Sequence, residues 1–384
     1  FTFENATKIY FGGGCVKEHL LEAVKPYGET VMLAYGGGSI KTNGIYQEVM
    51  DVLKLAGKQV IEFSGIMPNP TYSKVMEGKK VVQENQVDLI LAVGGGSVMD
   101  CSKAISMAAA TDKDVWEEYW IKKGEIDFEP VPVGVIVTVV GTGSEVNGEG
   151  VITHEEQKIK TSRNYPRCNP VFAMMDPKYT YTVSPLQTAA GGFDMLSHVM
   201  ETYFSAPDED NLSDAISEAL MRSIIENLPV AIREPENYEA RSNLMWASTM
   251  AEIGIIKLGK QCDFEAHMIE HQMGAYTDCN HGMGLGVIHP AYYRRICRDG
   301  IKKFVKFAVN VWGMSPDGGE ELAFGGIDAL QAFIHEIGLP GTLRELGITD
   351  QSLLKTIADS CIRNDGGYRQ LTHAEILDIL EECY

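Results

Sequence analysis

The chain has 384 residues, 45% of them apolar and 22% charged, a balance that marks a globular protein with room for two domains of ordinary size and is not that of a disordered chain. Its net charge of −20, with no Lys/Arg-rich patch to offset it, repels phosphate backbones, so nucleic acid is not expected as a partner. The longest near-apolar runs, such as 131–140, fall well short of the roughly 18 to 20 residues that span a bilayer, and no membrane segment is expected.

Eight cysteines, at 15, 101, 168, 262, 279, 297, 361 and 383, are scattered without a C-x-x-C pair. That pattern fits reduced thiols and argues against a disulfide frame or a thiolate metal site. The opening residues, Phe1-Thr2-Phe3-Glu4-Asn5-Ala6, carry no basic start and no apolar signal core, so a cytoplasmic location is expected.

In chain order, Tyr10-Phe11 close a short apolar strand before Gly12-Gly13-Gly14 and a helical pattern at Val16, Leu20, Leu21 and Val24. Residues 30–35 read as a buried strand, which Gly36-Gly37-Gly38-Ser39 interrupts ahead of a helix carrying Ile45, Val49, Val52 and Leu53. The plan repeats with strand 60–63, helix 72–82 and the continuous apolar strand 87–93, of the kind found inside parallel sheets. Gly94-Gly95-Gly96-Ser97 and a helix over 98–110 follow; strand 133–140 then leads into Gly141-Thr142-Gly143-Ser144-Glu145. Strands alternating with helices predict an α/β fold with an open, mainly parallel sheet.

In such a sheet the loops at the carboxyl ends of the strands form the ligand crevice. Glycine lets backbone N–H groups approach an anion, hydroxyls add donors, and a following helix turns its positive end to the charge. Two G-G-G-S loops and a T-G-S-E loop thus point to a pyrophosphate cradle, although any one of them is also simply a tight turn. They match neither the Walker pattern nor strict G-x-G-x-x-G.

From 186 onward the pattern is helical, with a period near 3.6 over 212–227, 241–256, 302–312, 326–337 and 352–359. The expected boundary separates an α/β domain, 1–184, from an all-helical domain, 185–384. In the second half His267, His271 and His281 lie within fifteen residues of a chain with nine His. The first two project from one helical face, and His281 follows the turn formers Thr277, Asp278 and Asn280. Asp194 and His198 are one helical turn apart, which is also the spacing of an ordinary helical pair. Together these residues make a mixed imidazole and carboxylate set without thiolate, which suits Fe(II) or Zn(II) better than Mg or Ca.

Along essentially its full length the chain resembles the iron-containing (metal-dependent, group III) alcohol dehydrogenases, most of all the butanol dehydrogenases and broad-range aldehyde reductases. The resemblance is carried by Tyr35-Gly36-Gly37-Gly38-Ser39-Ile40-Lys41, Pro68-Asn69-Pro70-Thr71, Gly94-Gly95-Gly96-Ser97-Val98-Met99-Asp100, Thr142-Gly143-Ser144-Glu145, Asp176-Pro177, Gly192-Phe193-Asp194 through His198, and His267 through His281. It implies an N-terminal dinucleotide-binding domain and a C-terminal helical domain that binds one divalent metal, Fe(II) before Zn(II). By resemblance the metal ligands are Asp194, His198, His267 and His281. His271 falls beside the metal as a candidate to orient substrate or relay a proton. The nucleotide positions fall on Gly37, Gly38, Ser39, Asn69, Gly95, Gly96, Ser97, Asp100, Thr138, Thr142, Asn147 and Lys160, with Tyr181 near the adenine. Relatives that prefer NAD often carry Asp near position 39, whereas this chain has Ser39 with Lys41 close by. NADP(H) is therefore expected to be admitted alongside NAD(H), and which of the two is preferred, NADP(H) included, is left open by this one loop. The implied reaction is hydride transfer between NAD(P)H and a small alcohol or aldehyde such as butanol or butanal, in a homodimer.

Two other classes fit parts of the sequence. His267-x-x-Glu270-His271 matches the H-x-x-E-H of inverzincin metallopeptidases, a reading that leaves the glycine loops and the Asp194/His198 pair without a role. A non-catalytic dinucleotide-binding protein with a structural metal is the second. Within the wider fold family, glycerol dehydrogenase and dehydroquinate synthase relatives match the three-His-plus-Asp set less well. In the dehydrogenase reading Glu270 is expected to be a structural helix residue.

Overall fold

The computed structural model describes residues 1–207 and 209–384. The chain divides into two compact units, Glu4–Val183 and Ser184–Tyr384, the latter joined by Phe1–Phe3.

The first unit runs β1 (Lys8–Phe11), α1 (Cys15–Val24), β2 (Thr30–Tyr35), α2 (Ser39–Thr42), α3 (Ile45–Leu55), β3 (Gln59–Phe63), α4 (Tyr72–Asn85), β4 (Leu89–Gly94), α5 (Gly96–Ala109), β5 (Val133–Val137), β6 (Glu149–His154), β7 (Ile159–Asn164) and β8 (Phe172–Met175). Six strands form one sheet in the order β1-β8-β5-β4-β2-β3, and every pairing in it is parallel. The residues of β2 from Val31 on, and all of β4 and β5, are buried, as expected where helices cover both faces of a parallel sheet. On one face Leu33, Leu89 and Leu91 pack with Val16 and Leu20 of α1 and Val49 and Leu53 of α3. From β2 the chain steps outward to β3, then crosses back so that β4, β5 and β8 follow on the other side. The order reverses between β2 and β4, and that topological switch point is where open α/β sheets bind ligands. Both G-G-G-S turns leave from these two strands.

Strand 133–140 is shorter than its apolar run suggests, ending at Val137. Beyond it Thr138 N donates to Gly94 O at 2.9 Å, and Gly141 and Gly143 take φ of 147° and 60°, which breaks the extended chain. The antiparallel β6–β7 hairpin, the four-residue β8 and a π-helical turn at Trp116–Ile121 carry no clear period in the sequence.

The second unit contains α6 (Pro185–Tyr203), α7 (Leu212–Arg233), α8 (Tyr238–Glu252), α9 (Glu265–Thr277), α10 (His281–Ile296), α11 (Ile301–Lys306), α12 (Glu320–Glu336), α13 (Ser352–Ser360) and α14 (His373–Glu382). The helical period at 302–312 covers α11 and a π-helical turn at Phe307–Val311. Among the described residues no strand follows β8, and no helix is long and apolar enough to cross a membrane.

Candidate active site

Three helices of the second unit bring the histidines and Asp194 together. Ser184 caps α6 by accepting from Gln187 N at 3.2 Å, and Pro185 occupies the first helical position, where its missing N–H costs nothing. On this helix Asp194, His198 and Glu201 recur at spacings of four and three and share a face. His267 and His271 lie one turn apart on α9. Asn280 caps α10 by accepting from Met283 N at 3.1 Å, which makes His281 the first residue of that helix. The next residue is Gly282 because α10 lies directly on α6 there: a Cβ would come 2.1 Å from Ala190 O. Glycine at 282 thus lets His281 approach Asp194.

The Nε2 atoms of His198, His267 and His281 lie 3.6, 3.6 and 3.5 Å from one atom, Asp194 Oδ1. These separations are too long for hydrogen bonds. Asp194 Oδ1 and His267 Nε2 are buried and have no hydrogen-bond partner, a costly state unless something else binds them. A cation held tetrahedrally at about 2.1 Å spaces its donors by roughly 3.4 Å. Asp194, His267 and His281 each offer one donor within 4.8 Å of the other two, and His198 reaches the same carboxylate oxygen. The donor set therefore fits a borderline divalent ion, by spacing as well as by type.

The opposite sides of two imidazoles are held by carboxylates. His267 Nδ1 is hydrogen-bonded to Glu201 Oε2, and His281 Nδ1 to Glu270 Oε2. Glu201 Oε1 accepts from Ala266 N at 2.8 Å, which ties α6 to the start of α9. Such pairs keep the proton on Nδ1 and aim the Nε2 lone pair at the shared centre. Burial opposes ionisation of Asp194, but the imidazoles of His198, His281 and His267 outweigh it and hold this carboxyl well below the usual range. Burial also opposes a charge on His267, yet Glu201 and Asp194 push it up to about 10; a metal taking this site displaces that proton. His271 is 4% exposed, with its ring 6.0 Å from that of His267 and 5.4 Å from that of His281. Phe264 packs beside His198 and His267.

Glu270, expected as a structural helix residue, is instead the carboxylate partner of His281. It groups with His271 and His281 within 4.8 Å, but its bond to His281 Nδ1 makes it a support for that imidazole. Glu201 was not singled out in the sequence; its signal is the D-x-x-x-H-x-x-E spacing on α6, which the Asp/His pair alone conceals.

In the first unit, Gly37, Gly38 and Ser39 turn out of β2, Gly95, Gly96 and Ser97 out of β4, and Thr138 and Thr142 follow β5. The two glycine loops differ in what surrounds them. A Cβ on Gly37 would meet nothing within 4 Å, whereas on Gly95 and Gly96 it would strike Val139 at 2.9 Å and Thr142 at 2.4 Å. The first loop is open to a ligand; the second packs closely against the loop after β5. Asp100 and Asn147 are engaged within the protein: Asp100 accepts from Ser144 Oγ and from Val151 N, and Asn147 Oδ1 accepts from Lys103 Nζ at 3.2 Å. Asn69, at φ 50°, precedes Pro70, whose carbonyl accepts from Thr153 N at 2.9 Å, and Thr153 pairs with Lys160 across β6–β7. Tyr181 follows a short 3-10 turn, Pro177–Thr180.

The model of the iron-containing alcohol dehydrogenases matches residues 6–177, and that of the C-terminal domain of the same family matches residues 188–384. The chain belongs to the iron-containing alcohol dehydrogenase family. It is accordingly an oxidoreductase acting on alcohols or aldehydes with NAD(P)H. It is 37% identical to NADH-dependent butanol dehydrogenase A of Clostridium acetobutylicum, across 100% of this chain and 99% of that one. It is 34% identical to the NADPH-dependent aldehyde reductase YqhD of Escherichia coli, across 100% and 98%. The crystal structure of NADH-dependent butanol dehydrogenase A from Thermotoga maritima superposes with a TM-score of 0.94 at 33% identity, again across 100% and 98% of the two chains. Neither the peptidase reading nor the non-catalytic one gains support from these likenesses.

Proposed function

We propose that this alcohol dehydrogenase interconverts short aldehydes such as butanal and their primary alcohols, using one divalent ion held by Asp194, His198, His267 and His281, with Fe(II) favoured over Zn(II). The observation that carries this reading is the convergence of three imidazole Nε2 atoms on one buried, otherwise unpartnered carboxylate oxygen. When bound, the ion supplies Lewis acidity that polarises a carbonyl or favours an alkoxide, and the nicotinamide supplies the hydride.

The residues of the chain do the rest. Glu201 and Glu270 fix the tautomers of His267 and His281. The carboxylate of Asp194 lowers the charge that the three imidazoles leave uncompensated. His271, beside the ligands, accepts or donates the alcohol proton at a ring nitrogen. For the nucleotide, the open turn at Gly37, Gly38 and Ser39 offers backbone N–H groups. Gly95, Gly96 and Ser97 lead into α5, whose fourteen residues give it the positive N-terminal end that attracts a pyrophosphate. Asn69, Thr138, Thr142, Lys160 and Tyr181 complete the nucleotide site, and Asp100 and Asn147 hold its loops. Metal content of freshly purified protein, followed by rates of butanal reduction with NADPH and NADH, tests the reading. About one equivalent of a first-row divalent ion and reduction abolished by its removal are expected. Full activity in metal-free protein would overturn it.

A further inference from the structure

Around the rim of the first glycine turn lies a charge cluster that the sequence does not reveal. Lys41 sits two residues after Ser39, Tyr35 ends β2 just before the turn, Tyr46 lies in the first turn of α3, and Glu62 stands near the carboxyl end of β3. Parallel pairing of β2 with β3 brings Glu62 beside this turn. Its carboxylate is fully engaged: Oε2 accepts from Tyr35 OH at 2.5 Å and from Lys41 Nζ at 3.0 Å, and Oε1 accepts from Tyr46 OH at 2.6 Å. Lys41 Nζ also lies 4.5 Å from the Tyr46 ring centroid and 5.2 Å from that of Tyr35, within reach of a cation–π attraction. The hydroxyls of Tyr35 and Tyr46 and the Lys41 ammonium hold the Glu62 carboxyl down to about 2, so it is ionised at any working pH.

Dinucleotide folds place the acid that reads the adenosine ribose at the end of the strand after the glycine turn, and Glu62 occupies that place. The sequence pointed to Lys41 as a cation for a 2′-phosphate. The structure gives that cation a partner. A 2′-phosphate carries nearly two negative charges at neutral pH. To use Lys41 it must share the ammonium with Glu62 and lie close to a like charge, whereas the ribose hydroxyls of NADH bear no such charge.

We propose that Glu62 is a specificity-determining residue that holds Lys41 and so favours NADH over NADPH. This rests on the reading above, in which the Gly37–Gly38–Ser39 turn holds the nucleotide.

The test compares kcat/KM for NADPH and NADH in wild type, Glu62→Gln, Lys41→Met and the double variant, with butanal as substrate. Glutamine keeps a carbonyl oxygen and an amide for the two tyrosine hydroxyls, so the turn stays in place. Glu62→Gln is expected to raise the NADPH/NADH ratio about tenfold, through KM, which corresponds to about 1.4 kcal/mol. In the Lys41→Met background the same change is expected to have little effect, because no cation is left to release. An unchanged ratio in Glu62→Gln, or a gain that persists without Lys41, overturns this inference while leaving the dehydrogenase reading intact. A metal-loaded wild type that turns over neither nucleotide overturns both.

Discussion

Asp194 on α6 and Asp214 on α7 are both buried carboxylates, 3% and 6% exposed, and both are ringed by nitrogen donors. Around Asp214 everything is matched. Lys260 Nζ donates to its Oδ1 at 2.9 Å, and Lys303 Nζ and Asn211 Nδ2 donate to its Oδ2. Around Asp194 the three imidazole nitrogens stand off at 3.5 to 3.6 Å and Oδ1 accepts nothing. Burial and surrounding charge are therefore common to a structural cluster and to the proposed metal site. What distinguishes them is a set of donor atoms left over and facing one centre. The first is a closed electrostatic strut; the second has the donor set and spacing of a cation site.

The strongest way to break this comparison is to remove one member of each. His267→Ala is expected to abolish metal binding and lower butanal reduction by at least about a thousandfold, since Lewis-acid stabilisation is lost with the ion. His271→Ala is expected to keep the metal and slow turnover. Metal analysis of both purified variants checks this, and the reverse pattern would show the ligand assignment to be wrong. Asp214→Ala, by contrast, leaves Lys260 and Lys303 buried without their carboxylate and is expected to cost about 3–5 kcal/mol of stability. Metal content per folded molecule should stay at the wild-type value. Denaturant unfolding measures the first and metal analysis the second; loss of metal with unchanged stability would erase the distinction drawn here.

The sequence made part of this legible. Continuous apolar runs marked β2 and β4, because strands covered on both faces bury every side chain, and the period of 3.6 marked the long helices. The spacing of Asp194 with His198, and of His267 with His281, stood out because imidazoles are few. Glu201 did not stand out, and Glu270 stood out only within H-x-x-E-H and was expected to be structural, because an acid on a helix has the same appearance whether it meets water or an imidazole. Their roles appear only once α6, α9 and α10 are brought together. Lys41 and Glu62 are linked by strand register, a relation that local pattern cannot express. The β6–β7 hairpin was missed because Lys160, Thr161, Ser162 and Arg163 break any apolar alternation.

Asp263 sharpens the comparison from a third direction, since it is buried against a neutral donor. Burial pushes its carboxyl up to about 6, with the Tyr292 hydroxyl bound to it only partly offsetting the cost. The folded value lies above the ordinary 3.8. Its contribution to stability is therefore fully present below pH about 4 and is lost as pH rises through about 6, a swing of order 2–3 kcal/mol. Urea midpoints between pH 4 and 7 are expected to show Asp263→Asn gaining on wild type as pH rises. Parallel curves would mean that the carboxyl is not buried as described.

The smallest expected effect probes the carboxylates behind the imidazoles, where the closed and the open cluster come closest in kind. Glu201 is as buried as Asp214 and as fully engaged, accepting from Ala266 N and paired with His267 Nδ1. If its role were only structural, Glu201→Gln would lower stability and leave metal affinity unchanged, as is expected of a change at Asp214. If it orients a ligand, the amide removes the charge that holds the Nδ1 proton and makes Nε2 a weaker donor, and affinity falls about 10- to 100-fold. Activity should then return at saturating metal, because all four proposed ligands are still present. Competition against a chelator of known affinity separates the two outcomes. The rescue by excess metal identifies Glu201 as a positioning residue, since a damaged fold would not recover.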